Sequence, residues 1–275
     1  MEEEHKNSTE TIIMASLSSL PPPHLSNLTH SISTLFHHHH RRLSSLLSSP
    51  TLFSLTLHHL HSLSLHHKSL LIARHLLSTL SLLTHFLNPT TTPPPPTTTN
   101  LRHLDSVLLL LLLCELRHQN PQALQSPPSK WRLILSKYVS DTMLMMSMNG
   151  TTLIHFVEVV VNCQRFIGVM GCGGKVGREM AASVAAVVAL PSVEVRGGGR
   201  ECVICKEEMS EGRDVCELPC HHLFHWMCIL PWLKKRNTCP CCRHRLPTDD
   251  VSGEIERLWE VVVKVGRSEL YGDCT

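Results

Sequence analysis

Eight side chains between Cys202 and Cys242 leave that stretch little freedom in how it folds. They run Cys202-x2-Cys205, then fourteen residues, then Cys220-x-His222-x2-His225-x2-Cys228, then ten residues, then Cys239-x2-Cys242. A C-x2-C step turns the backbone so that two thiolates meet one metal, and zinc accepts thiolate and imidazole alike. Eight donors suffice for two tetrahedral zincs with no position left open, so both sites are expected to be structural. Such a staple is needed. A segment of about forty residues buries too little apolar surface to fold alone. Structural zinc supplies roughly 10–16 kcal/mol of coupled folding free energy. Three further candidates are spare. Cys216 lies off the Cys-x-His step, His221 spaces Cys220 from His222, and Cys239-x2-Cys242 passes over Cys241.

Eight of the twelve cysteines fall in this stretch, which reads as metal binding in a reducing compartment rather than a disulfide framework. A formal charge of +2 with 17% charged residues argues against a nucleic-acid binder held by bulk charge. Aromatics at 4% require an aliphatic core. The longest apolar run, VLLLLLLC from Val107 to Cys114, is bracketed by Asp105 and Glu115. It falls well short of the roughly 20 residues a bilayer span needs, so a buried helix is expected and no transmembrane segment.

The rest of the chain divides by composition. From Thr11 to Leu104 there is no Asp or Glu, and Ser, Leu, Thr and His dominate. Residues 1–48 read either as a plastid targeting region, for a Ser-rich, Arg-bearing composition that is acid-free from Thr11 although it opens on Glu2 to Glu4, or as a low-complexity tail. His37 to His40 form a run of four, a compositional accident of this His-rich segment. Ser49-Pro50 has the form of an N-cap followed by Pro at the first helical position, opening a helical segment over 49–87. The alternation in LTLHHLHSLSL also fits a strand. Residues 88–100, with four consecutive prolines, form a linker. Residues 101–190 read as four helices, over about 101–118, 129–148, 151–170 and 176–190, forming a small bundle. Cys114, Cys163 and Cys172 are core thiols there. GVMGCGGKVGRE, from Gly168 to Glu179, lacks the glycine and hydroxyl positions of a phosphate loop and reads as a turn. Residues 191–200 form a Gly-rich hinge, 201–247 the zinc domain, and 248–275 a helix from Ser252 with a tail. That helix packs on the zinc domain or pairs with a second copy as a homodimer; both remain open.

The ligand order, with CVIC, ELPCHHLFHWMCILPWL, NTCPCCR and the following LPTDD, resembles the RING domain in its H2 variant, over about Glu201 to Asp250. The resemblance implies a small α+β fold stapled by two Zn2+ in a cross-brace, beside a mostly α N-terminal region. Cys202, Cys205, His225 and Cys228 would hold one zinc. Cys220, His222, Cys239 and Cys242 would hold the other. It also implies an E3 ubiquitin ligase that binds an E2 enzyme carrying ubiquitin and promotes transfer to a lysine of an unknown substrate. Ile204, Trp232 and Pro240 would face the E2, and Arg243 would bridge E2 and ubiquitin. No RING residue would act as nucleophile. A partner-binding scaffold without activity is the second reading, and a zinc module for nucleic acid the third, opposed by the near-neutral charge. The whole chain is similar to plant amyloplast-associated RING ligases of shoot gravitropism. This implies a cytosol-facing place on the plastid surface, with cytoplasm or nucleus as the alternative.

Overall fold

The computed structural model describes residues 2–88, 101–149, 152–169, 180–195, 199–209 and 214–271. The chain forms two compact units, residues 1–173 with 258–275, and residues 174–257.

The first unit is helical. Its elements are α1 (Glu2–Ser18), α2 (Pro22–Ser48), α3 (Pro50–Ser62), α4 (Leu65–Leu87), α5 (Leu101–Gln119), a single 3-10 turn at Ala123–Gln125, α6 (Pro128–Asn149) and α7 (Thr152–Val169). The Ser49 hydroxyl accepts from the Leu52 N–H with Pro50 behind it, and Ser64 accepts from the His67 N–H. These two caps answer the helix-or-strand question in LTLHHLHSLSL: a break at Leu63-Ser64 interrupts two helices, and the alternation straddles it. Ser and Thr are tolerated because their hydroxyls bond back to carbonyls three or four residues earlier, as Thr29 to Leu25, Thr56 to Leu52 and Thr84 to Leu80.

Residues 2–48 are part of this unit. Helix α2 packs against α3, α4, α5, α6 and α7, and α1 packs against α7. Ile13, Leu28, Ile32 and Leu46 of the first two helices are fully buried, as are Ile72, Leu76, Leu80, Leu83, Leu109, Leu135 and Phe156. Asp105, the first acid after the acid-free run, is buried on α5. Its carboxylate accepts from Arg42 of α2 through Nε at 3.0 Å and Nη2 at 2.6 Å. The bond to Asp105 holds the Arg42 guanidinium above its ordinary pKa, against its burial. Helices α4 and α7 have the length and mean hydropathy (1.4 and 1.3) of a membrane span. They pack on each other, and their apolar residues enter the core just described.

The second unit holds α8 (Val184–Val188), β1 (Ser192–Val193), β2 (Val215–Glu217), β3 (Leu223–His225) and α9 (Trp226–Leu233). The sheet is antiparallel in the order β1-β2-β3, with Cys216 opposite Phe224 on one side and Ser192 on the other. Its core gathers Leu190, Val195, Met209, Val215, Leu218, Phe224, Ile229, Leu233 and Leu246 around the buried Cys202, Cys216 and Cys239. Helix α10 (Val251–Tyr271) starts at Asp250, whose carboxylate accepts from the Gly253 N–H at 2.9 Å; its residues to Arg257 belong to this unit.

The structure differs from the helix expected over 176–190. Residues 170–179, with Cys172 and most of the glycine-rich turn, lie outside the described residues, and among the described residues 180–190 only Val184–Val188 is helical. The apolar period is real, but the N–H groups of Ala182 and Ser183 bond to the carbonyls of Leu233 and Pro247 at 2.9 and 2.8 Å instead of entering a helix. Ser183 then caps α8 by accepting from the Ala186 N–H. The segment expected as a hinge opens with β1.

Within the bundle the His39 and His75 rings of α2 and α4 lie 5.3 Å apart. Burial, then the charges of His75 and His38, lower His39 from 6.5 to about 3, and burial lowers His75 from 6.5 to about 4. A histidine whose folded pKa lies below its unfolded value stabilises the fold fully above about 6.5 and loses that contribution as pH falls toward 4 and below. The denaturant midpoint of the helical unit should therefore drop between pH 6.5 and 4, and a His39→Gln/His75→Gln chain should show a flatter slope over the same window.

Candidate metal centre

The first knuckle turns at Cys202–Cys205, and the loop between β2 and β3 carries Cys220 and His222. His225 ends β3, Cys228 sits in the first turn of α9, and the second knuckle turns at Cys239–Cys242. The hairpin register places these donors in two groups. Cys202, Cys205, His225 and Cys228 form one; Cys220, His222, Cys239 and Cys242 form the other. Within each group the donor atoms lie within 4.8 Å of one another. The contact atoms of the histidines are Nδ1, at 3.4 Å from Cys205 Sγ for His225 and 3.4 Å from Cys220 Sγ for His222. Zinc bonds of about 2.3 Å to sulfur and 2.0–2.1 Å to nitrogen give a tetrahedral edge of about 3.6 Å, so the spacing fits. Thiolate and imidazole with no carboxylate select zinc over hard cations. The chain takes two zinc ions, one in each group.

His221, the neighbour of His222, lies outside both groups. Its side chain is 87% exposed and pairs with Glu217 Oε1 at 2.7 Å. Cys216 is buried in β2 with its thiol pushed up to about 12, first by burial and then by Glu217. Cys241 is exposed.

The electrostatics of the donors call for a cation. Burial opposes the Cys202 thiolate, but the backbone N–H groups of Cys205, His225 and Ile204 bring it down to about 6. Cys228 in the same group is pushed up to about 12, by burial and then by the Cys205 and Cys202 sulfurs. In the other group burial and the sulfurs of Cys242 and Cys239 push Cys220 up to about 12. Backbone N–H donation, from His244 first, lowers Cys242.

Both knuckles close in the same way. The N–H of Lys206 bonds to Cys202 O at 2.7 Å and that of Arg243 to Cys239 O at 3.0 Å. Lys206, His221 and Arg243, each just after a ligand cysteine, have φ of 66°, 63° and 60°, in the left-handed region. Arg243 is exposed there. Ile204 is 37% exposed in the first knuckle and Pro240 half-buried in the second. Trp232 lies on α9; its Nε1 donates to Thr238 O at 2.7 Å and the Arg236 guanidinium stacks 5.0 Å from its ring. The sequence reading missed β1 and the strand it adds. The alternation of inward Val193 and Val195 with outward Ser192 and Glu194 was the available signal.

A hairpin and a short helix braced by two interleaved four-donor zinc sites define a RING domain of the H2 type. The description "Ring finger domain" matches residues 200–243. Over 95% of its length the chain is 52% identical to E3 ubiquitin-protein ligase SGR9, amyloplastic, of Arabidopsis thaliana, covering 97% of that protein. It is 53% identical over 75 residues to the E3 ubiquitin-protein ligase RNF181 of Rattus norvegicus, 26% of this chain and 46% of the other. It is 46% identical over 74 residues to E3 ubiquitin-protein ligase RING1-like of Arabidopsis thaliana, 25% of this chain and 23% of the other. No solved structure matches the chain. The chain belongs to the RING-type E3 ubiquitin-protein ligases, and is a ubiquitin transferase of that type.

Elemental analysis of the purified protein should return two zincs per chain. Because the sites are interleaved, Cys220→Ser should lower zinc at both, to well under one per chain. Zinc loading at neutral pH should release protons from Cys220 and Cys228, seen with an indicator dye in weak buffer, and acidification should weaken binding.

Proposed function

We propose that Ile204, Trp232 and Pro240 form the face that receives an E2 enzyme carrying ubiquitin as a thioester, and that Arg243 bridges E2 and ubiquitin. The exposure of Ile204 between the ligands Cys202 and Cys205 supports this most directly, since apolar side chains on so small a domain are costly unless a partner covers them. Arg243 supports it too: an exposed guanidinium on a rigid knuckle offers forked donors to two acceptors. A substrate lysine then attacks the thioester carbonyl. The isopeptide bond forms as the carbon–sulfur bond breaks, and the E2 cysteine leaves as a thiol. The ligase contributes position and restriction of a mobile donor, not a nucleophile. Zinc holds this geometry with four protein donors and offers no open site for substrate.

The helical unit serves substrate recruitment or localisation in this reading. The amyloplast relative supports a place at the amyloplast, facing the cytosol where ubiquitin is used, and with it the role in shoot gravitropism that the sequence resemblance implies. Helix α2 supplies core residues and the Arg42 partner of Asp105, so the segment would act without being removed.

Two measurements test these points. In autoubiquitination with a panel of E2s, the parent chain should build ubiquitin chains. Trp232→Ala and Arg243→Ala should each cut the rate at least about tenfold, the effect of losing about 1.4 kcal/mol at an interface anchor. Equal rates in all three would remove the assigned roles. A fluorescent fusion should mark amyloplasts at the full-length mass; a diffuse cytoplasmic or nuclear signal would overturn the localisation.

A further inference from the structure

The RING match begins at residue 200, yet the described residues of the second unit include 180–195 upstream of it. Four backbone contacts tie this upstream segment down. Met180 O accepts from Asn237 N–H at 2.7 Å, just past the end of α9. Ala182 N–H donates to Leu233 O at 2.9 Å, in the last turn of α9. Ser183 N–H donates to Pro247 O at 2.8 Å. Pro191 O accepts from Glu217 N–H at 3.2 Å, at the end of β2. Side chains add to these. Leu190 and Val195 enter the zinc domain's core, and Trp226 Nε1 at the start of α9 donates to Ser192 Oγ at 2.7 Å. The Met180 thioether packs against Gly253 of α10, where no Cβ stands in its way.

Both ends of α9 are thus held from one segment. The last carbonyls of a helix have no partner within it, and a short helix frays unless they are satisfied. Helix α9 is eight residues long and carries Trp232. We propose that residues 180–195 are a positioning strap of the ligase domain, which holds α9, and through it Trp232, in the geometry that receives the E2. This rests on the E2 role assigned to Trp232 above. Ala182 is the key position, because its N–H caps the turn that carries the indole; it is a positioning residue and touches neither E2 nor ubiquitin.

The test uses the full-length chain. Ala182→Pro removes the N–H donor, and Ala182→Ser keeps it. Ser192→Ala, at an exposed position, removes the Trp226 acceptor without threatening the fold. Zinc content, E2 affinity, discharge of E2-bound ubiquitin to free lysine, and hydrogen exchange in residues 226–236 are read together. Losing one capping bond at about 1 kcal/mol should raise the E2 Kd of Ala182→Pro roughly fivefold. Two zincs should remain, exchange in α9 should speed up, and the discharge rate at saturating E2 should hold. Ala182→Ser should match the parent, and Ser192→Ala should shift Kd roughly twofold in the same direction. An Ala182→Pro chain with the parent's Kd and exchange overturns the strap. So does one that loses zinc in proportion to binding, while Ser192→Ala leaves Kd unchanged. A parent chain that binds no E2, while Ala182→Pro still speeds exchange in α9, overturns the E2 role of Trp232 and supports the hold on the helix.

Discussion

Everything in the zinc unit depends on the interleaving of its two donor sets. Donors adjacent in sequence serve one ion, and the next pair serves the other, so neither site closes from a contiguous hairpin. The three-residue strands β2 and β3 are too short to be stable alone. They exist because the loop between them carries Cys220 and His222 to one ion while His225, at the end of β3, goes to the other. Phe224 and Cys216, facing each other across the hairpin, are buried by the same act. Metal binding, sheet formation and placement of α9 are therefore one event, and the surface of the domain inherits its rigidity from the two ions.

The helical unit solves a different problem with different means. A segment with no acids from Thr11 to Leu104 has no ion pairs of its own and few strong helix formers beyond leucine. It is helical because leucine and isoleucine fall on faces that neighbouring helices cover, and because its hydroxyls find carbonyls one turn back. A two-bond ion pair, Arg42 to Asp105, reaches out of the acid-free run to the first acid beyond it.

What was legible in the sequence follows from how local each signal is. The zinc donors were readable because C-x2-C and C-x-H steps are short-range geometry; the choice between adjacent His221 and His222 was the least local of these readings, and the fold places His222 among the donors. The Ser49-Pro50 helix start was readable for the same reason. The packing of residues 2–48 was not, because a Ser- and His-rich composition disguises a leucine face whose cover comes from α4, α5 and α7. The end of the 101–190 helices was misread at 176–190, since an apolar period carries no trace of the distant carbonyls of Leu233 and Pro247 that claim its N–H groups. A two-residue strand such as β1 is defined by its partner rather than by its own residues.

The left-handed knuckle residues set a conflict at one position. For a residue with a Cβ, that backbone conformation costs about 1–2 kcal/mol, which glycine would not incur. Lys206 and His221 accept this cost with side chains that the zinc chemistry does not use. Arg243 accepts it with the side chain proposed to meet ubiquitin. Under that proposal stability and activity pull toward different amino acids at this residue: a chain optimised for thermal endurance would drift to glycine there and trade the guanidinium for a relaxed backbone, with its zinc ligands unchanged.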